Sequence, residues 1–294
     1  MEAYPTRWFA KLWIDGIASS RFLLFVLPSE MNQARNFLVK FAGGNVCLHK
    51  DSSIGVARIM LDNPQRRNAI TGNMMVKLRE CVEELEEWEE GKAVVLHGNG
   101  ANLCSGGDLD FVKATGYPEA ASIMNSWMQD TMMKLRNLPM VSVCLIQGPT
   151  LGGGAEISVY CDYILAAEDV KYGFVQGKMG IVTAWGGGTL LVQKLGRRKA
   201  MDLMLTSRIL SADDCMDMDI ADGVLKGPDY LGEVIEWLGP RIQHHHSITR
   251  TIKQIVASEE DLQQSLESER KAFVPFWGGE LNQKALEKRI KHVQ

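Results

Sequence analysis

The sequence predicts an α/β layer fold that is followed by a helical C-terminal part. Short apolar stretches alternate with amphipathic helical patterns in the first two-thirds of the 294 residues, and residues 231–294 show mostly helical patterns. Such an alternation is typical of helices packed on a sheet. We therefore expect a poorly ordered N-terminal extension at residues 1–40, a core at residues 41–230 and a helical region at residues 231–294.

The strands and helices of the core are predicted from the spacing of apolar residues. Helices with apolar residues three or four positions apart end near Gly91 and before Pro139, and another begins at the glycines of Gly186–Gly188. Short apolar runs predict four strands, at Ile54–Leu61, Ala93–His97, Val141–Ile146 and Tyr163–Ala167.

Composition excludes several classes of function. The net charge is −4, which gives no electrostatic basis for binding nucleic acid. The longest apolar run near the N-terminus, Phe22–Leu27, is too short to span a membrane. The six cysteines contain no C-x-x-C pair, which favours reduced thiols and a cytosolic location. The adjacent residues His244–His246 do not share a helix face, so no metal site is expected.

The most informative segment follows the strand Val141–Ile146. Three glycines, Gly152–Gly154, lead into a predicted helix that carries Glu156. A helix N-terminus exposes unpaired backbone N–H groups, and glycine lets a ligand approach them closely. This corner suits an oxygen atom on which negative charge develops. The other interpretation, that the glycines only allow close packing, stays open at this point.

A second turn, Ser105-Gly106-Gly107-Asp108, also follows a predicted strand. Two backbone N–H donors from separate loops form an oxyanion hole, which can stabilise the enolate of a thioester. A dinucleotide site is not predicted because the G-x-G-x-x-G pattern is absent, and a phosphate-binding P-loop is not predicted because no Gly-Lys-Ser/Thr follows the glycines.

Taken together, the motifs resemble the crotonase (enoyl-CoA hydratase/isomerase) superfamily. The resemblance rests on four elements in the order and spacing of that family: Asn63-Pro64-(x)3-Asn68-Ala69, Ser105–Leu109, Gly148-(x)2-Leu151–Glu156, and Met179–Ile181 with Trp185–Gly187. It implies a crotonase-type spiral of ββα units with a helical C-terminal trimerisation region, and a homotrimer or a dimer of trimers.

The resemblance also implies a substrate and its site. The substrate is an acyl-CoA thioester, so CoA enters as part of the substrate and no separate cofactor is expected. The oxyanion N–H groups are placed on Ser105 and Gly153. The CoA moiety is placed near six residues: Arg67, Asn68, Ala69, Gly107, Asp108 and Leu109.

One departure from the family pattern directs the functional prediction. Hydration in this family resembles two-carboxylate catalysis, in which Glu156 fills the first position and Gln176 stands at the second. An amide cannot exchange a proton near neutral pH. Decarboxylation needs no second carboxylate, because loss of CO2 itself generates the enolate. One proton source then completes the reaction, and Glu156 or a water that it holds is the candidate.

The resemblance is strongest to a decarboxylating branch that acts on ethylmalonyl-CoA and methylmalonyl-CoA. We therefore expect a carboxy-lyase with Ser105, Gly153, Glu156 and Gln176 at its catalytic site. Two alternatives stay open, an enoyl-CoA hydratase or isomerase that relies on Glu156 alone and a non-catalytic acyl-CoA binder.

Overall fold

The computed structural model describes residues 28–256, 270, 273–274 and 277–287. Two sheets are present in this part of the chain. The first has six strands in the order β1-β2-β3-β4-β6-β8, and the second consists of β5 and β7. The strands are β1 (Asn45–Asp51), β2 (Val56–Asp62), β3 (Ala93–Gly98), β4 (Val141–Ile146), β5 (Pro149–Leu151), β6 (Tyr163–Ala167), β7 (Lys171–Gly173) and β8 (Gly223–Leu225).

Only β1 and β2 are antiparallel, and each of the other neighbouring strands pairs in parallel. The α-helices with described bounds are α1 (Pro28–Leu38), α2 (Gly72–Glu86), α3 (Leu109–Ala114), α4 (Pro118–Asn137), α5 (Gly153–Ser158), α6 (Gly187–Thr206), α7 (Ala212–Asp217), α8 (Tyr230–Leu238), α9 (His246–Val256) and α10 (Glu280–Glu287). Three short 3-10 helices lie at Pro64–Arg66, Gln176–Met179 and Gly239–Arg241. None of the helices in these ranges combines the length and apolar composition that a membrane crossing requires.

The parallel strands are buried on both faces. Because successive side chains of a strand point to opposite sides, Val94 and Leu96 of β3 enter one apolar cluster while Val95 enters the other. The larger cluster includes residues of α2 and α4, and the smaller one includes Val234 and Leu238 of α8. The sheet therefore forms the middle layer of the fold.

The predicted strands agree well with the structure where the sequence is uniformly apolar. Strands β4 and β6 have the predicted bounds, and β3 extends one residue further. Strand β1 was not predicted, because Val46 is its one buried residue and it ends in the polar residues His49, Lys50 and Asp51. The helix predicted to begin at Gly186–Gly188 starts at Gly187 and runs to Thr206, across a break at Gly196, where φ is 75°.

The described part of the expected N-terminal extension differs from the prediction. Residues Pro28–Leu38 form helix α1, and the side chain of Leu38 is fully buried in the larger apolar cluster. The folded part therefore begins before residue 41, because α1 packs on the core. Residues 1–27 of the expected extension lie outside the described residues.

Helix α9 is joined to the sheet by an ion pair that is shielded from solvent. Lys253 of α9 contacts Asp162, which precedes β6, and the two side chains are 4% and 24% exposed. The other oxygen of Asp162 accepts hydrogen bonds from the N–H and the hydroxyl of Ser142 at 2.8 and 2.9 Å. Asp162 therefore connects β4, β6 and α9.

We expect Lys253→Met to lower the free energy of unfolding by about 3 kcal/mol, because removing one partner leaves a partly buried charge unpaired. Urea denaturation measures the change. The matched control is Lys199→Met, which breaks the exposed pair with Asp219 and should cost at most about 0.5 kcal/mol. Equal losses in the two variants would contradict the role assigned to Lys253.

Candidate active site

The first glycine corner forms where the chain leaves β5. Gly152 has φ 54° and ψ −116° and precedes the first residue of α5, Gly153. The left-handed φ of Gly152 is one that other residues rarely adopt. The N–H of Gly153 belongs to the first turn of α5, and it has no partner among the described residues. The corner therefore presents an unused donor.

Two of these glycines have different roles. A Cβ atom on Gly154 would overlap with the backbone carbonyl of Cys104, so this glycine allows the two segments to pack closely. A Cβ atom on Gly153 would instead overlap with the ring of Trp185, which lies over the cavity. The structure therefore shows close packing at both positions, against the backbone at Gly154 and against the Trp185 ring at Gly153, and the approach of a ligand to Gly153 stays a prediction.

The turn at residues 105–108 contains four backbone N–H groups, three of which are already used. The N–H of Ser105 donates to the carbonyl of Arg67 at 3.0 Å, and that of Asp108 donates to Ile70 at 2.9 Å. The N–H of Gly106 donates to the sulfur of Cys104 at 3.3 Å. Within the described ranges, only Gly107 keeps its N–H without an acceptor.

The expectation that Ser105 supplies the second oxyanion donor is therefore wrong. Its N–H is used in holding the turn against the loop that carries Arg67. The free donor lies two residues further on, at Gly107. Ser105 still lies on the wall of the same cavity.

The two corners lie side by side on one cavity of about 780 Å³. A Cβ atom placed on Gly106 would be 3.5 Å from the nitrogen of Gly153. Gly107 and Gly153 both line the cavity and are only half-buried, unlike their neighbours Gly106 and Gly154. A ligand oxygen in the cavity can thus meet donors from both loops. The thiol of Cys104 beside them is not a nucleophile near neutral pH, since burial raises its pKa to about 12.

Glu156 projects from α5 into a set of donors. Its side chain is 3% exposed. One oxygen, Oε2, accepts from the N–H groups of Trp185 at 2.8 Å, Ala184 at 3.1 Å and Gly187 at 3.1 Å. The other, Oε1, accepts from Nε2 of Gln176 at 2.8 Å. Both oxygens of the Glu156 carboxyl group therefore serve as acceptors.

Gln176 begins the 3-10 helix Gln176–Met179 and is 7% exposed. Both Glu156 and Gln176 line the cavity, so the structure brings these two predicted residues together. Lys178, from the same 3-10 helix, is exposed and does not line the cavity.

Five of the six residues predicted near the CoA moiety line the cavity, namely Arg67, Ala69, Gly107, Asp108 and Leu109. Asn68 does not. Its side chain is fully buried, accepts from the N–H of Asn63 at 2.8 Å, and donates to the carbonyls of Asn99 and Asn102 at 3.0 and 2.7 Å. The amide of Asn68 therefore ties together the loops behind the cavity, and its side chain is not among the groups that can meet CoA there.

Asp108 has a structural role in addition to lining the cavity. Its carboxylate caps α3 by accepting from the N–H groups of Asp110 and Phe111 at 3.0 and 3.1 Å. Helix α3 then carries Leu109 at the mouth of the cavity, where its side chain is 50% exposed.

Several residues of the cavity wall come from helical patterns that predicted only core packing. Met124 of α4 contacts Trp185 through a 3.4 Å hydrogen bond from the indole N–H to its sulfur. Phe273 and Trp277 reach the same cavity from the C-terminal region, with their ring centroids 5.1 Å apart. An apolar stripe does not show whether it faces a core or a cavity, so no sequence signal identified Met124 and Phe273, whereas the sequence left both a pocket wall and core packing open for Trp277. In the described part of the chain, no cluster of three or more His, Cys, Asp or Glu side chains could hold a metal ion.

Comparisons with known proteins show which family the chain resembles. The sequence model of the enoyl-CoA hydratase/isomerase family matches residues 51–289. A curated relative, ethylmalonyl-CoA decarboxylase from Xenopus laevis, is 39% identical over 259 residues, which cover 87% of this chain and 86% of the relative.

Solved structures show the same fold. The crystal structure of an enoyl-CoA hydratase/isomerase from Xanthobacter autotrophicus Py2 superposes with a TM-score of 0.76 at 22% identity, covering 84% of this chain and 93% of that chain. A structure from Thermobifida fusca YX in complex with acetoacetyl-CoA gives 0.66 at 25% identity, with coverage of 78% and 92%. The predicted crotonase-type fold is thereby confirmed, while the trimerisation region stays a prediction. The chain belongs to the enoyl-CoA hydratase/isomerase family.

Proposed function

We propose that this protein is an acyl-CoA decarboxylase that removes CO2 from ethylmalonyl-CoA and methylmalonyl-CoA. The observation that carries the proposal is the combination of two free backbone donors, on Gly107 and Gly153, with an amide at Gln176. The site can stabilise an enolate, but it lacks the second carboxylate that hydration uses. The decarboxylase from Xenopus laevis supports the substrate class.

The donors act on the thioester oxygen. When the bond between the α-carbon and the carboxylate breaks, its electron pair moves into the thioester, and negative charge develops on the carbonyl oxygen. The N–H groups of Gly107 and Gly153 stabilise that charge in a cavity partly closed to water. Each donor of this kind contributes about 3–4 kcal/mol to lowering the barrier.

The inner wall of the cavity favours loss of the carboxylate. It includes the apolar or aromatic residues Met124, Ile181, Val182, Trp185 and Trp277, beside the buried polar residues Glu156 and Gln176. The cationic lining residues of the described chain, Arg66, Arg67 and Lys113, are exposed. A carboxylate placed against the inner wall gains no ion pair and loses hydration, and both effects are relieved when neutral CO2 departs.

The exposed cations provide a binding surface for the CoA moiety at the mouth of the cavity. The phosphates of CoA can pair with Arg66, Arg67 and Lys113, and the exposed side chain of Leu109 offers apolar surface beside them. In the structure, Arg66 contacts Asp110 at 3.0 Å, so binding of CoA would exchange this exposed ion pair for a phosphate. This arrangement directs the acyl group towards the glycine donors.

The proposal includes a homotrimer or a dimer of trimers. Helix α9 supports it, because Ile248, Ile252 and Val256 follow each other at intervals of four residues and are 51%, 52% and 71% exposed. Such an apolar row on a helix is typical of a surface covered by another subunit. A cytosolic location is also part of the proposal, and it is supported by the six cysteines, none of which forms a disulfide.

A panel of thioesters tests the activity directly. We expect release of CO2 from ethylmalonyl-CoA and methylmalonyl-CoA, with butyryl-CoA as a substrate control that carries no carboxylate. Hydration of crotonyl-CoA should be slower by at least about 10²-fold, since one acid–base group is missing. Fast hydration without CO2 release would favour a hydratase, and tight CoA binding without any turnover would favour a binding protein.

The donor on Gly107 is tested by a pair of variants. Gly107→Pro removes the N–H and should lower kcat by about 10²–10³-fold with little change in KM. Gly107→Ala keeps the N–H, and its Cβ atom would lie 3.4 Å from Val112, an ordinary contact, so this control should keep most of the activity. Steady-state kinetics on ethylmalonyl-CoA gives the result, with circular dichroism as a check of folding. Full activity in Gly107→Pro would refute the assignment.

Analytical ultracentrifugation tests the assembly. The wild-type protein should sediment as three or six copies of the 32.7 kDa chain. Ile252→Glu places a charge in the middle of the apolar row of α9 and should shift the distribution towards smaller species. Thr251→Glu adds the same charge to an exposed neighbour outside the row and should leave the assembly intact. A wild-type monomer would contradict this part of the proposal.

A further inference from the structure

The carbonyl oxygen of the Gln176 side chain is a buried acceptor with no donor. Among the described residues, no group hydrogen-bonds to this Oε1 atom, although the residue is only 7% exposed and lines the cavity. A buried acceptor left in this state costs roughly 1–3 kcal/mol. The oxygen itself is closed to a water-sized molecule in this structure, so a donor that enters with the substrate would remove this cost after a small opening of the pocket around it.

The orientation of the amide is fixed by its neighbour. Its Nε2 donates to Oε1 of Glu156 at 2.8 Å, and the carboxylate of Glu156 is held in turn by backbone N–H groups of residues 184–187. Turning the amide over would place its carbonyl oxygen against a carboxylate oxygen, and two acceptors repel each other. The free oxygen of Gln176 therefore always offers an acceptor.

The chemistry of the substrate limits which donor can use this acceptor. The acyl part of a malonyl-type thioester carries only acceptors, a carboxylate and a thioester carbonyl, and the enolate is also an acceptor. Glu156 accepts hydrogen bonds on both oxygens in this arrangement. Apart from the amides of the CoA arm, the donor that fits beside the α-carbon is a water molecule.

We propose that Oε1 of Gln176 holds the water molecule that protonates the α-carbon of the enolate. The inference rests on the proposed decarboxylase function and adds a residue to it. Gln176 is a positioning residue in this step, because it orients the water through one O–H and leaves the other O–H directed at the carbon. Glu156 acts indirectly, by fixing the orientation of the Gln176 amide.

Protonation of the enolate by the held water completes the reaction. Loss of CO2 leaves the bonding electron pair in the enolate, whose oxygen lies between the two glycine donors. The α-carbon then takes a proton from the held water, a C–H bond forms, and the O–H bond of the water breaks. The resulting hydroxide takes a proton from solvent through the mouth of the cavity. The thioester product carries one hydrogen where the carboxylate was.

Deuterium labelling tests the proposal, because a held water delivers its hydrogen to one face of the enolate only. Decarboxylation of ethylmalonyl-CoA in D2O by the wild-type protein should give 2-deuteriobutyryl-CoA as a single enantiomer. The configuration can be assigned with an acyl-CoA dehydrogenase that removes one α-hydrogen stereospecifically, followed by mass spectrometry. A racemic wild-type product would overturn the proposal whatever the variants do.

In Gln176→Met, which has no acceptor oxygen, we expect CO2 release within about tenfold of wild type and a largely racemic product. Gln176→Glu retains an oxygen at this position and, with a proton on the new carboxyl group replacing the amide N–H that faces Glu156, should keep the selectivity. Lys178→Met, an exposed neighbour in the same 3-10 helix, should change neither quantity. Full selectivity in Gln176→Met would overturn the proposal. This holds also if KM rises in that variant, because a rise in KM alone would indicate that the oxygen binds an amide of the CoA arm. Absence of CO2 release by the wild type would instead refute the function itself.

Discussion

The carboxylate of Glu156 at the N-terminal end of α6 is the interaction on which the site depends. It satisfies three N–H groups of the segment 184–187, where the positive end of the helix dipole also favours a negative charge. Because Glu156 belongs to α5, the same contact fixes the glycine corner relative to α6. The ring of Trp185 is thereby held over Gly153, and the amide of Gln176 is held in one orientation.

In this arrangement, backbone groups provide most of the stabilisation of the developing charge. The donors that meet the developing charge are N–H groups of Gly107 and Gly153, and the side chains around them exclude water or hold other groups in place. A reaction that generates its own carbanion by losing CO2 suits such a site, whereas hydration, which uses one carboxylate to activate water and another to deliver a proton, does not. The difference between decarboxylation and hydration in this fold can therefore depend on one amide in place of one carboxylate.

Much of the fold and part of the site could be predicted from the sequence. The strands β4 and β6 are continuous apolar runs between clear turn residues, and their bounds agree with the structure. Gly153 was identifiable because a triple glycine followed a strand and preceded a helix. The second donor could not be placed correctly, since the use of the Ser105 N–H is decided by the carbonyl of Arg67, which lies 38 positions earlier in the chain. The same limit applies to Asn68, whose amide is occupied by the loops around Asn99 and Asn102.

The C-terminal wall of the cavity has a consequence for how the protein folds. Trp277 donates to the carbonyl of Thr115 across 162 positions, and Asn282 donates to Met179 across 103 positions at 3.0 Å. Contacts of such sequence separation carry the entropy cost of closing long loops. A chain whose sheet is paired but whose C-terminal segment is detached would lack a complete acyl pocket. Substrate binding in this pocket therefore stabilises the state in which the C-terminal segment is docked.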